Sequence, residues 1–201
     1  MKSATLTAAL AVALVLSGGC GGSLPPTHYY VLEPQDVNAA SLPGGLNVGV
    51  DRFDVDPPYD QDRIVYRVGD ESAEVGFYAY HRWAAPLERM LPRFVASAYA
   101  EVPGLHSIEP VAPGRDYDAY LRGRVAAIEE IDTPEGQRVR IRLDLRLVID
   151  DRDVWAARIR ETSDVTANDV ADIVERIRSA IDEGLQGTIP ELQVVLTRHG
   201  S

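Results

Sequence analysis

Hydrophobic residues along this chain repeat with two different periods. The clearest block is residues 139–147, where Val139, Ile141, Leu143, Leu145 and Leu147 alternate with Arg140, Arg142, Asp144 and Arg146. A period of two puts alternate side chains on opposite faces, so this segment predicts a strand with one face in a core and one in water. The run Asp150-Asp151-Arg152-Asp153 supplies turn residues, and residues 154–162 then return as an antiparallel neighbour. Residues 118–128 precede this pair as a third strand, with Tyr120 and Val125 among its apolar members.

Earlier in the chain, residues 28–32 (HYYVL) predict a first strand and residues 33–45 a polar loop. Leu46, Val48 and Val50 begin a second strand that runs into Phe53 and Val55 until Asp56-Pro57-Pro58 breaks it. Residues 63–68 (RIVYRV) and 74–80 (EVGFYAY) read as a hairpin across residues 69–72.

The period then changes. Leu87, Met90, Leu91, Phe94, Val95, Ala98 and Tyr99 recur at three and four, one face of a helix opened by Pro86 and closed by Pro103-Gly104. Pro92 inside it predicts a kink or a later start. A last helix is capped by Thr166 or Asn168 and buries Val170, Ile173, Val174, Ile177, Ile181 and Leu185. Gly187 and Pro190 should interrupt it before residues 192–196. Together these elements predict an α+β fold: a mainly antiparallel sheet with two helices packed on one face. No repeat period is present.

The N-terminus has a different character. Lys2 is followed by an uncharged stretch, residues 4–16 (ATLTAALAVALVL), then Ser17, Gly18, Gly19 and Cys20. This is the layout of a secretory signal peptide. At 1.5 Å per residue the apolar run spans only about 20 Å, short of a hydrocarbon core of roughly 30 Å. Cys20 is the only cysteine, so no internal disulfide is possible, and it sits where the leader should end.

That segment resembles the lipobox of bacterial lipoproteins, with Leu16 four residues before the cysteine and Ser17 in the place usually held by Leu. The resemblance implies a signal peptide over 1–19, acyl chains (palmitate) on Cys20, and a lipidated tether over 20–27. Gly21 after the cysteine implies the outer membrane as destination. A single domain would then cover 28–201. Two or three acyl chains anchor stably where one is marginal.

Charge narrows the partners. The formal net charge is −11, and loss of the leader with Lys2, the only lysine, takes it to −12. Such a chain lacks the basic face that nucleic acid requires, and the polybasic segment that adheres to anionic lipid. Any tethering falls to the acyl chains.

Candidate chemistry is sparse. His28, His81, His106 and His199 are scattered singly, with no His pair at i, i+4, so no metal site is expected. There is no Gly-x-Ser-x-Gly, no phosphate-binding loop and no dinucleotide fingerprint, so neither enzymatic activity nor a cofactor is expected. The acidic residues Asp51, Asp54, Asp56, Asp60 and Asp62 lack the Gly and terminal Glu of a calcium loop and read as solvated. Arg82-Trp83 has two readings. Such residues are enriched at binding hot spots; equally, Trp83 can pack under the first helix while Arg82 pairs with an acid such as Glu88. Tyr66 and Arg67 are similarly balanced.

Two segments carry a family resemblance. Residues 63–67 (RIVYR) and 81–87 (HRWAAPL) resemble the ABC-type transport auxiliary lipoproteins of the paraquat-inducible protein C type, with Ala85 where the family usually has Glu. The YYVL at residues 29–32 fits as well. The resemblance implies an accessory subunit anchored in the outer membrane and facing the periplasm. Its partners would be an MCE (mammalian cell entry) domain protein and the permease and ATPase of an ABC lipid transporter. A homo-oligomer is conceivable. Tyr66, Arg67, Arg82, Trp83 and Pro86 are the candidate partner-binding residues. A structural envelope lipoprotein that binds peptidoglycan or an outer-membrane assembly partner is the competing expectation. A direct lipid carrier would need a deep apolar cavity.

Overall fold

The fold is described from a computed structural model over residues 24–33, 44–167 and 169–200. Among these residues the elements run β1 (His28–Tyr30), β2 (Leu46–Val50), β3 (Asp54–Val55), β4 (Arg63–Val68), β5 (Gly76–Trp83), α1 (Leu87–Tyr99), β6 (Leu105–Pro110), β7 (Ala119–Thr133), β8 (Gly136–Ile149), β9 (Arg152–Val165) and α2 (Val170–His199). The strands form one mixed sheet, most of whose paired residues are antiparallel, with both helices on one face.

β7 is the spine. One edge pairs with β8 from Tyr120↔Val148 to Thr133↔Gly136, and β8 pairs in turn with β9, giving a long antiparallel meander. Asp150 and Asp151 turn the β8–β9 hairpin at φ of 48° and 59°. Two successive left-handed residues are what a turn matching the strands' own twist requires, and Asp tolerates that region. The other edge of β7 is shared by three short strands, all parallel to it. β2 pairs at Ala119–Leu121, β3 at Arg124 and Val125, and β4 at Glu129–Asp132. β5 and then β1 extend the sheet beyond β4, and β6 extends it beyond β2. The segment expected as one strand from 46 to 55 is therefore two, separated at residues 51–53.

The alternating residues of β8 behave as their pattern predicts: Val139, Ile141, Leu143, Leu145 and Leu147 are essentially inaccessible. α1 covers β2 and β6 with Leu87, Met90, Leu91, Phe94, Val95 and Tyr99, and α2 covers β9 and β8. Each such side chain contributes about 1.5–3 kcal/mol on full burial. Pro92 stays inside α1. A proline at this position cannot donate to the carbonyl four residues back, and that carbonyl, of Glu88, accepts from Phe53 N–H of the β2–β3 loop at 3.4 Å.

Three expectations need correction. α2 is not interrupted at Gly187 and Pro190, but continues for 30 residues. Leu192 and Leu196 beyond the proline are buried, and that burial outweighs the roughly 3 kcal/mol a proline costs within a helix. Thr188 reinforces the same region, its hydroxyl within 2.6 Å of Tyr99 Oη. The cap is Asp169, whose Oδ1 accepts from the backbone of Ala171 and Asp172 at 2.8 and 3.1 Å. Thr166 lies upstream of it, and Asn168 is outside the described residues. Finally, β6 was not expected. Its start is held where Gly45, Gly104 and Gly200 converge: a Cβ on Gly45 would lie 2.5 Å from the Gly104 carbonyl oxygen, and one on Gly200 would lie 3.0 Å from Gly45 Cα.

Candidate functional site

The sequence candidates gather around the β4–β5 hairpin without forming one surface. β1 lies parallel to β5, in the register His28↔His81, Tyr29↔Arg82 and Tyr30↔Trp83. Backbone bonds lock the junction: Trp83 N–H donates to Asp62 at 2.6 Å, and Ala84 N–H donates to Tyr30 at 2.7 Å. Trp83 is 3% exposed and sits in the core. Arg82 pairs with Asp62 at 2.6 Å, not with Glu88, which approaches Arg52 instead at 3.9 Å. Pro86 is exposed, and its carbonyl starts α1 by accepting from Arg89 and Met90. Cys20 lies outside the described residues.

Tyr66 and Arg67 project to opposite faces of β4. The Tyr66 ring packs against Tyr78 at 5.1 Å and over Gly76, where a Cβ would come within 2.2 Å of the ring. Arg67 turns inward to an acid that sequence reasoning missed, Glu129, which is 1% exposed. Glu129 accepts from Tyr59 Oη at 2.9 Å, Arg67 Nη2 at 3.1 Å and Arg140 Nη1 at 3.1 Å. Arg140 also reaches Asp70, which Arg138 approaches at 3.4 Å. Two arginines against Glu129 and Asp70 balance the charge that burial would otherwise penalise. Burial, then the nearby Glu129, pushes the Tyr59 hydroxyl up to about 12.

The next residue, Glu130, points to the other face, as successive strand residues must. It is also 1% exposed, and accepts from Tyr78 Oη at 2.5 Å and Gln137 Nε2 at 2.8 Å. No cation meets it among the described residues. Burial raises its pKa above the ordinary carboxylate range, against the opposing pull of those two hydrogen bonds. Tyr78 in turn meets His81 edge to face at 5.6 Å. His81 stacks on His28 at 5.1 Å and lies 2.8 Å from Tyr30 Oη through Nδ1. Burial, then His28, lowers the His81 pKa, with Asp169 opposing. The hairpin thus holds an aromatic and histidine cluster on one side and an ion network on the other. Both stiffen the platform on which β1 sits.

At the outer edge of that platform β1 leaves Tyr29 (66% exposed) uncovered, with Val31 exposed just after it and Leu24 exposed upstream. Among the described residues there is no group of three or more potential metal ligands, and no helix long and apolar enough to cross a membrane.

A family model described as the ABC-type transport auxiliary lipoprotein component matches residues 30–186. The chain belongs to the ABC-type transport auxiliary lipoprotein family. That span runs from β1 into α2, and membership points to a supporting role in transport rather than catalysis. A Xanthomonas campestris protein of family DUF330 has the same fold, with 17% identity over 87% of this chain and 95% of its own, at a TM-score of 0.62. The crystal structure of an uncharacterized protein, 14% identical, covers 84% of this chain and 99% of its own at 0.65. No curated protein matches the auxiliary lipoprotein described here.

Proposed function

We propose that this auxiliary lipoprotein is anchored in the outer membrane through acylated Cys20, faces the periplasm, and completes a trans-envelope ABC lipid-transport assembly by docking on an MCE-domain partner. In this reading residues 1–19 are a cleaved leader, 20–27 a tether, and the rest one domain. The observation that carries it is the family match, whose span begins in the edge strand that follows the cysteine. From Cys20 to His28 the chain reaches at most about 30 Å when fully extended. The β1–β5 edge therefore stays within that distance of the bilayer surface. Exposed Tyr29 and Val31, with Arg82 and Pro86 beside them, form the docking surface we assign. Trp83 and Arg67 support it from within.

Affinity pull-down from a detergent-solubilised envelope tests the reading. Recovery of an MCE-domain protein with its permease and ATPase is expected, and it should fall sharply for Tyr29→Asp. Recovery of none of these subunits would count against it. Mass spectrometry showing an unmodified Cys20 thiol would remove the anchor.

A further inference from the structure

A second feature lies away from the hairpin. A cleft of about 960 Å³ takes its walls from the β2–β3 loop, the first turns of α1, the end of β6, and one end of the β7–β8–β9 meander. Six arginines line it: Arg52, Arg89, Arg122, Arg124, Arg146 and Arg158. The lining acids are fewer, Asp51, Asp54, Glu88 and Asp144. Asp56 and Asp153 reach two of these arginines from outside the lining, so what sets the cleft apart is which arginines stay unpaired rather than its net charge.

Four of the arginines are engaged, Arg52 with Glu88 at 3.9 Å, Arg122 with Asp51 at 3.2 Å, Arg124 with Asp56 at 2.5 Å, and Arg146 with Asp153 at 3.3 Å. Arg89 on α1 and Arg158 on β9 have no acidic partner among the described residues. They are far apart in sequence, yet the fold brings them to one cleft. The volume lies within the range of small-molecule sites, about 300–1,000 Å³, and is modest for a macromolecular groove. Apolar groups share the lining, including Val50, Pro92 and Val111, and Ala156 adds little bulk beside Arg158.

Guanidinium groups favour phosphate, whose oxygens accept two parallel N–H bonds. We propose that this cleft binds a phosphate ester with an adjoining apolar part, held by Arg89 and Arg158. The headgroup of a phospholipid and a soluble phosphate ester share that chemistry. Among the described residues, the apolar cavity between Tyr99, Leu121 and Leu196 is only about 10 Å³, too small for an acyl chain. Where the ester is a lipid headgroup, its acyl chains remain outside the cleft.

The test is isothermal titration of the full chain in an uncharged maltoside detergent. The probes are dihexanoyl phosphatidylglycerol, glycerol 3-phosphate, neutral dihexanoylglycerol and a glutamate-rich peptide. Saturable binding of a phosphate probe is expected, weakened about tenfold by Arg158→Gln or Arg89→Gln, the scale of one charge-assisted hydrogen bond. Tighter binding of the phosphatidylglycerol identifies a lipid headgroup; equal binding of glycerol 3-phosphate identifies a soluble ester. Unchanged melting of both variants shows that the fold is intact, and retention of the envelope partner by Arg158→Gln separates this site from the docking surface. Equal affinity for dihexanoylglycerol, tighter binding of the peptide, wild-type affinity in both variants, or no binding of either phosphate probe overturns the proposal.

Discussion

Replacing Glu129 by Gln keeps the size of the side chain and removes its charge. The consequence follows from what surrounds it. Arg67 and Arg140 are only 16% and 13% exposed, and both direct guanidinium nitrogens at a carboxylate that is itself 1% exposed. In the variant, two largely buried cations face a neutral amide, and the amide's own N–H groups oppose theirs. Breaking a buried ion pair from one side typically costs about 3–5 kcal/mol, because an uncompensated charge remains. Asp70 relieves Arg140 in part, so the lower half of that range is expected. With a urea slope of about 2 kcal/mol per molar, the unfolding midpoint should fall by roughly 1.5–2 M. Trp83 and Trp155 are both buried and report the transition by fluorescence. The control is Asp153→Ala, which breaks a pair with Arg146 whose side chains are about half exposed. That change should cost less than about 1 kcal/mol. A midpoint shift below about 0.5 M for Glu129→Gln would refute the reasoning, since it would mean that water already solvates the network.

Other consequences can be measured on the same protein. Glu130 holds its proton more tightly when folded than when unfolded, so the native state loses stability as pH rises through and above the ordinary glutamate range. Melting temperatures from pH 4 to 8 should therefore show Glu130→Gln gaining on the parent chain as pH rises, and a constant difference would contradict this. His81 has the opposite sense: its lowered pKa means that stability falls as pH drops below about 6.5, and His81→Gln should flatten that limb of the melting curve. Gly184→Ala would place a Cβ 2.3 Å from Ile159 and lift α2 off β9, at a cost of about 1–3 kcal/mol in urea unfolding. The two helix prolines should respond differently. Pro190→Ala restores a helical hydrogen bond and should raise the melting temperature. Pro92→Ala returns the Glu88 carbonyl to α1 at the expense of Phe53 N–H, so its gain should be smaller.

Local patterning made some elements legible and hid others. β8 could be read directly, because each of its residues faces either core or water and the sequence alternates accordingly. β7 looked finished at Ile128 because Glu129 and Glu130 resemble the polar end of a strand. It continues to Thr133, and the groups that make those acids tolerable, Tyr59, Arg67, Tyr78, Gln137 and Arg140, come from other segments. β6 carries little alternation of its own and owes its form to β2 beside it. The break expected in α2 was a correct reading of Pro190 as a local cost, reversed by leucines packed further along. The RIVYR and HRWAAPL segments marked the right region, but one-dimensional reading could not separate inward Arg67 and Trp83 from outward Arg82 and Pro86. The arginine cleft had no signature at all, since its lining comes from seven elements and their connections.

The way β2, β3 and β4 share one edge of β7 also constrains how the molecule assembles. Val48, Asp54 and Val65 find their places opposite Ala119, Arg124 and Glu129, which lie 64 to 71 positions later in the chain. The β7–β8–β9 meander needs only tight turns, so it can form as soon as its own residues are present. β2 can pair with β6, and β4 with β5, before then, but neither pair has its place in the sheet until β7 arrives. A polypeptide delivered N-terminus first, from a ribosome or through a translocon, must keep one edge of β2 and of β4, and all of β3, unpaired until β7 arrives. Those open edges are the ones a holdase chaperone would have to shield, and truncation before β7 would leave them without a home.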